Sequence, residues 1–325
     1  MTDQQRTGRR SGRTGRRPGP AAGAALLAAV LAGAAGLAGC SPSGTDGVGG
    51  DSADQQAGGA PDRLAADPLT AVRSAADITG RTGSAHAATE LVTESAEKKA
   101  VFTGTGGYDY VKRIGRLEVQ VPPGAATTGK IVEVLLPGTV YLQNSGAKVP
   151  EGKWVKLDVR QLPDGNLVSG GATDPAAAAG ALRGAQKAEL VGPETVGGVA
   201  LKHFRGTLDL AKAADATGGR GGDGLRMGAQ TFTVKEIPYD VWLDEQGRLH
   251  KVVEVFTFAG VAGSKEAKDQ VKVVSTTSLT DFGKPVEAAE PPAADIFAMK
   301  PTDAPKDAPK DAPKDAKESP KESPK

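Results

Sequence analysis

The chain has 325 residues, with 40 Lys and Arg against 39 Asp and Glu and a net charge of +1. Six of the arginines (Arg6, Arg9, Arg10, Arg13, Arg16 and Arg17) stand at the very start, so the rest is mildly acidic. That excludes a basic nucleic-acid footprint and a polybasic membrane patch. A single cysteine, 4% aromatic residues, 44 Gly and 22 Pro describe a fold without internal disulfides, rich in turns and held by an aliphatic core.

In chain order, the arginines are followed by an apolar run of small residues, Ala21–Ala38, ending in Leu37-Ala-Gly-Cys40. A basic n-region, an apolar h-region and small residues at its end make an export signal. The ending resembles the bacterial lipobox, whose cysteine thiol is acylated and becomes the new N-terminus. An uncleaved transmembrane anchor fits less well. Eighteen residues is near the lower limit for a span, and only Leu26, Leu27, Val30, Leu31 and Leu37 are large and apolar. The reading is therefore a lipoprotein signal peptide over 1–39 and lipidation at Cys40, with palmitate among the acyl groups. It implies a membrane anchor through diacylglyceryl-Cys40 on the extracytoplasmic face of the cell membrane. The pairs Arg9-Arg10 and Arg16-Arg17 leave twin-arginine export open beside the general route. Residues 40–66 hold the acylated Cys and a Gly/Ser/Asp/Gln stretch that cannot order itself. As a flexible tether it would set the domain roughly 25–30 Å from the anchor.

Residues 67–298 form the globular domain. Asp67-Pro68 offers an N-cap with proline at N1, Gly80 a stop, and Leu69, Val72, Ala76 and Ile78 an apolar face, predicting a short amphipathic helix. Strands are predicted at Ala87–Thr93, Val101–Tyr110, Arg116–Val121, Ile131–Leu136, Thr139–Gln143 and Lys153–Asp158. Thr173-Asp174-Pro175 repeats the helix start and leads into Ala176–Arg183, stopped by Gly184. Strands resume at Ala188–Gly192 and Val199–Thr207, a helix at Leu210–Ala216 precedes a loose glycine loop, and strands follow at Ile237–Leu243, Leu249–Ala259 and Val271–Asp281. Pro137-Gly138 and Asp244–Gly247 read as hairpin turns. Consecutive strands joined by hairpins indicate an antiparallel α+β domain, because a parallel sheet would need helical crossovers. From 299 to 325 Asp-Ala-Pro-Lys units give way to Glu-Ser-Pro-Lys. Proline at every fourth position blocks helix and sheet, so this is a disordered tail. It reads either as a spacer threading the cell-wall polymer or as a solubilising tail.

Tyr141-Leu142 with Trp154-Val-Lys-Leu-Asp158, and Val241-Trp-Leu-Asp244 with Gly247-Arg-Leu249, mark two hairpins. With the lipobox, tether and amphipathic helix, this layout resembles the LppX/LprG-type lipoproteins of the actinobacterial envelope, in the LolA/LolB-like superfamily. It covers Asp67 to Phe297, roughly 70% of the chain. The resemblance implies a strongly curved antiparallel sheet, a half-barrel covered by a few short helices, with an apolar cavity and no catalytic residues. Several members of that group bind acylated lipids. Candidates for inward, cavity-lining positions are Leu117, Val119, Val132, Val134, Trp154, Trp242, Val253 and Val255; ordinary core packing is the alternative for each.

Other chemistry is poorly represented. Gly219-Arg-Gly221-Gly-Asp-Gly224 matches GxGxxG in form, but it follows a helix within a run of five glycines in seven residues. A dinucleotide site needs the pattern between a strand and a helix, so a mobile hairpin insertion is expected here. His86, His203 and His250 are far apart, with no metal-ligand spacing, and His203 reads as an exposed cross-strand partner. No Gly-x-Ser-x-Gly elbow occurs. The chain reads as a non-enzyme without metal or cofactor, a monomer that binds or carries an amphiphilic lipid or lipoglycan and no nucleic acid. The alternative is a filled-core surface lipoprotein acting through protein partners or cell-wall contacts.

Overall fold

The computed structural model describes residues 67–95, 98–123, 129–145, 149–258 and 270–298. The expected signal peptide (1–39), Cys40, the expected tether and the repeat tail lie outside them. Helix α1 (Pro68–Gly80) starts as the sequence predicts, with the Asp67 carboxylate accepting from the Thr70 N–H at 3.0 Å. Six strands follow as a meander: β1 (Ser84–Glu94), β2 (Lys99–Asp109), β3 (Ile114–Gln120), β4 (Lys130–Leu136), β5 (Thr139–Gln143) and β6 (Trp154–Asp158). A loop then crosses to α2 (Pro175–Ala181), capped by Asp174, and a 3-10 turn at Leu182–Gly184 leads into β7 (Ala185–Val196) and β8 (Val199–Leu208). Next come α3 (Leu210–Thr217) and α4 (Gly219–Thr231), then β9 (Ile237–Leu243), β10 (Leu249–Phe258) and β11 (Val271–Thr280).

All eleven strands form one antiparallel sheet in the order β6-β5-β4-β3-β2-β1-β11-β10-β9-β8-β7. The chain runs from the centre to one edge, crosses to the other, and returns to pair β11 with β1, from His86 opposite Thr280 to Glu94 opposite Lys272. At about 4.8 Å per strand such a sheet is roughly 50 Å wide, while the longest helix spans about 20 Å. One continuous core nevertheless joins inward residues from β1 (Ala87, Leu91) to β4 (Leu135) and β9 (Val241) with all four helices. The sheet is therefore curved, an open half-barrel around its helices. Two inward glycines mark the tightest coiling. A Cβ on Gly106 (β2) would stand 1.9 Å from the Arg116 carbonyl oxygen, and one on Gly206 (β8) 1.8 Å from that of Lys187.

The predicted elements are found with small boundary shifts, except that β7 is much longer than Ala188–Gly192 and that Gly218–Gly224 is no hairpin insertion. It starts helix α4, whose glycines are set by contact. A Cβ on Gly222 would meet the Ala214 carbonyl of α3 at 2.4 Å, and one on Gly228 would meet the Leu167 side chain at 2.5 Å. Close packing offsets the roughly 1 kcal/mol that each glycine costs a helix.

A second, smaller core lies on the outer face. Residues 284–298 run back across β4–β6 as a strap: Glu290 is hydrogen-bonded to the Tyr141 hydroxyl and paired with Lys156, and Asp295 pairs with Lys153 at 2.9 Å. Phe297 N–H donates to the Trp154 carbonyl at 2.7 Å, and Ile296 bridges Trp154 in parallel. Val132, Val134, Tyr141 and Trp154 are buried beneath this strap, with Ala288 and Ile296 packed on them.

The glycine contacts give a direct test of the coiling. Gly106→Ala should destabilise the protein by about 3 kcal/mol, read as a lower urea midpoint, because backbone has to move. Gly80→Ala, where an added methyl meets nothing within 4 Å, should leave the midpoint unchanged or slightly higher. Equal midpoints for the two variants would refute the account of curvature.

Candidate functional site

Where the inward face reaches the hairpin ends of β2–β5, the helices do not close over it. A cleft of about 290 Å³ opens between α1 (Ala76, Gly80), α2 (Ala176, Ala177), the first turns of α4 (Arg220, Gly221) and the strand ends at Tyr108 and Leu135. Each part is placed by local chemistry. The Asp109 carboxylate accepts from the N–H groups of Val111 and Lys112 at 3.0 and 2.8 Å, closing a tight turn that holds Arg113 at φ 58 beside the cleft. Tyr108 and Tyr110 flank that turn with ring centroids 5.1 Å apart. Burial pushes both phenols well above the ordinary tyrosine range. The Tyr110 hydroxyl is buried with no hydrogen-bond partner among the described residues.

The floor is polar. Asp164 accepts from the N–H groups of Asn166, Val168 and Ser169 and from the Ser169 hydroxyl, fixing the loop that follows β6. Asn166, 2% exposed, then donates its amide to Glu133 at 2.6 Å, leaving its own carbonyl oxygen unpartnered. Glu133 is fully buried. Burial pushes its carboxyl up to about 8; Asp174 and Asp164 add to the rise, and the Asn166 bond opposes it. Asp174 caps α2 at Ala176 (2.7 Å), yet burial outweighs those bonds and raises its carboxyl too. Deeper under α2, Glu254 on β10 is fully buried with neither oxygen partnered among the described residues, and burial lifts it to about 8. It stands opposite Ser275, whose hydroxyl is 2.6 Å from that of Thr173.

Above the floor the lining is apolar at Ala76, Leu135, Val140, Val159 and Ala177, and the rim is cationic at Arg113, Arg183 and Arg220. Arg183 is paired with Asp77 at 2.6 Å. Arg113 and Arg220 have no carboxylate within salt-bridge distance among the described residues. The arrangement can take an apolar group inward and hold a polar group at the mouth.

None of the eight sequence candidates lines this cleft. Leu117 and Val119 face inward and belong to the main core. The other six face outward, a correction to the expected orientation. Val132, Val134 and Trp154 lie under the strap. Trp242 stacks on His203 at 4.3 Å, donates to Glu194 at 2.7 Å and carries Lys251 on its ring. Val253 and Val255 are half-buried on the face opposite Val252, Glu254 and Phe256. The reversal of the four valines has one cause. Ile131-Val-Glu-Val-Leu135 and Val252-Val-Glu-Val-Phe256 are apolar on both faces, and the glutamates face in rather than out. His203 is also buried rather than exposed, at 2.6 Å from Asp240. Missed entirely were Tyr108, Tyr110, Arg113, Asn166 and Arg220. The one signal for this region was a lone glutamate centred in an apolar strand. Among the described residues no His/Cys/Asp/Glu group is placed to hold a metal, and no helix is long and apolar enough to cross a membrane.

No family model matches the chain, and no curated protein matches it in sequence. Several solved structures are similar. LprF from Mycobacterium bovis is 15% identical with a TM-score of 0.38, over 69% of this chain and 98% of that one. The lipoprotein LppX from Mycobacterium tuberculosis is 12% identical with a TM-score of 0.40, over 69% and 100%. The MucA/MucB complex of Pseudomonas aeruginosa is 13% identical with a TM-score of 0.29, over 70% and 61%. The architecture itself rests on the strand order and register.

The buried glutamates give stability a pH dependence of definite sign. Both carboxyls stay protonated in the folded chain up to about 8, while the unfolded chain ionises at the ordinary 4.5. The folded state binds more protons between those values, so stability is fully present below 4.5 and falls as pH rises, by about 1.4 kcal/mol per pH unit and group. Glu254→Met should be more stabilising at pH 8 than at pH 4.5 by about 4 kcal/mol. Melting curves of variant and wild type that run parallel across this range would contradict it.

Proposed function

We propose that this chain is an envelope lipoprotein that binds an amphiphile at the mouth of its half-barrel, the acyl part entering between α1, α2 and the ends of β2–β5. The carrying observation is the cleft itself: an apolar lining beneath a polar, cationic rim, at the open end of a concave sheet. Its volume, about 290 Å³, is at the lower edge of the ~300–1,000 Å³ of ligand pockets. It is smaller and more polar than the apolar slot expected from the sequence. A whole diacyl lipid therefore requires α1 and α2 to part from the sheet. Each buried CH₂ would contribute ~0.8 kcal/mol toward that opening. In this reading the chain does no covalent chemistry on its ligand. The signal peptide over 1–39, lipidation at Cys40, the tether to residue 66 and the tail from 299 complete the proposal. The domain is then held outside the membrane as a monomer on an acylated stalk.

The test is native mass spectrometry of the full chain carrying Cys40→Ser, isolated gently from a background rich in envelope lipids. A discrete added mass is expected, removable by organic solvent and restored by lipid extract. Ala177→Trp, which fills the cleft from α2, should reduce the lipid-loaded fraction about tenfold. A clean unliganded mass before and after lipid extract would refute the reading.

A further inference from the structure

We propose that the strap over residues 284–298 is a latch that sets the form of the cleft wall from behind, so that unseating the strap widens the cleft and filling the cleft unseats the strap. The second half rests on the amphiphile reading; the first does not. The strap grips the backs of the strands whose fronts line the cleft. On β4, Val134 lies under the strap and Leu135 lines the cleft, and on β5 the same holds for Tyr141 and Val140. On β2, Val286 of the strap packs against Gly107, where a Cβ would meet it at 2.9 Å, and the next residue, Tyr108, is in the cleft. Successive residues of a strand point to opposite faces, so each pair is one stretch of backbone shared by strap and cleft. Leu136, at the β4–β5 turn, touches both: it packs on the outer core and lines the cleft.

The strap is fastened at separate points over an apolar face. At its start the Gly283 N–H donates to the Ser84 carbonyl at 2.8 Å, and the Ser84 hydroxyl donates to the Lys284 carbonyl. Midway, Glu290 meets Tyr141 and Lys156. At the far end Lys153 donates to the Ala294 carbonyl at 3.0 Å and pairs with Asp295, and the Phe297 N–H reaches the Trp154 carbonyl. The side chains of both ion pairs are 39–53% exposed, and pairs so open to water hold weakly. Seating therefore depends on the burial of Ala288 and Ile296 against the outer core.

The direction of the coupling follows from packing on both faces of the wall. β4 and β5 carry Leu135, Val140 and Leu142 in the main core and Val134 and Tyr141 in the outer one. Close-packed layers on either side resist bending. With the strap off, one side is free, and the β4–β5 turn can swing away from α1 and α2. A ligand too large for the cleft of about 290 Å³ gains from that movement, and one that fits does not.

Hydrogen exchange and calorimetry on the full chain carrying Cys40→Ser test this, with Ile296→Ala as the strap variant. Ile296 lies outside the main core, so the variant keeps the fold. The probes, below their micelle concentrations, are heptanoyl lysophosphatidylcholine and diheptanoyl phosphatidylcholine, which share a head group and differ in chain number. In the variant, amides of the strap and of Leu135–Val140 should exchange about tenfold faster, with β8 and β9 unchanged. The two-chain probe should bind the variant about tenfold more tightly than the parent, and the one-chain probe should bind both alike. Saturating the parent with the two-chain probe should in turn speed exchange at the strap, because coupling is reciprocal. Faster exchange at the strap beside unchanged exchange at Leu135–Val140 would overturn the latch. A variant strap as protected as the parent's would overturn it too, since burial of Ile296 would then not seat it. Strap exchange unmoved by saturation of the parent would overturn the coupling and leave the amphiphile reading standing. Absence of binding by both probes to both chains would overturn the amphiphile reading and the coupling with it, while exchange at Leu135–Val140 still decides the latch.

Discussion

Everything in this fold follows from the need to cover one face of an eleven-stranded sheet with four short helices. A flat sheet of that width would leave most of its inner face in water. Coiling brings the face within reach, and it is permitted where neighbouring strands can approach without side chains between them. Gly106 and Gly206 serve that role on the two arms of the sheet, each with a carbonyl oxygen of the next strand where a Cβ would stand. Curvature then sets the rest. The two outer strands do not meet, the helices lie in the trough, and the end that they fail to cover becomes the cleft. Along β6 the strap to Phe297 meets the exposed edge, which would otherwise present unpaired backbone groups.

The helical layer is built for closeness rather than for strength. The buried side of α2 is Ala178, Ala179, Gly180 and Ala181, and α4 meets α3 and the loop after β6 through Gly222, Gly224 and Gly228. Small residues allow near-contact of backbones, but they bury little apolar area, and burial is the dominant stabilising term in proportion to area. Such a layer costs less to lift than one of leucines. Thr79 of α1, whose hydroxyl accepts from the Leu249 N–H at 2.8 Å, and the Arg183–Asp77 pair are polar fastenings at specific points.

Legibility in the sequence divides along the same physics. Helix caps at Asp67-Pro68 and Asp174-Pro175 and hairpins at Pro137-Gly138 and Asp244–Gly247 are local chemistry, and each is found where the residues predict. Helix α4 was not legible, because its glycines disfavour a helix in isolation and are compensated only by contacts with Ala214, Gly165 and Leu167. Strand facing was legible at Leu117 and Val119, which alternate with Arg116, Glu118 and Gln120. It failed where both faces are buried, since period two identifies a strand but not which side holds the core. The outer core under the strap is made by residues about 150 positions apart, such as Tyr141 and Glu290, which no local pattern reveals. The cleft draws on α1, the β2–β5 turns, α2 and α4, so its arginines carry no mark in sequence at all.

The polar interior ties these points together. Glu133, Glu254, Asn166, Thr89 and Thr277 leave buried atoms without partners among the described residues, and each such group is destabilising by about 1–3 kcal/mol. A sheet selected for stability alone would carry aliphatic residues there, as it does at Leu117 and Val241. These five residues sit on the inward face, in the trough that the small-residue helices cover, and the outer face of the same sheet satisfies Tyr141, Trp242 and His203. Frustration found mostly on one face, with the Thr207 hydroxyl the exception on the other, and beneath the cover least expensive to raise, lowers the free energy needed to expose that face. A ligand whose polar groups satisfy those atoms then shifts the balance further by its differential affinity for the open state.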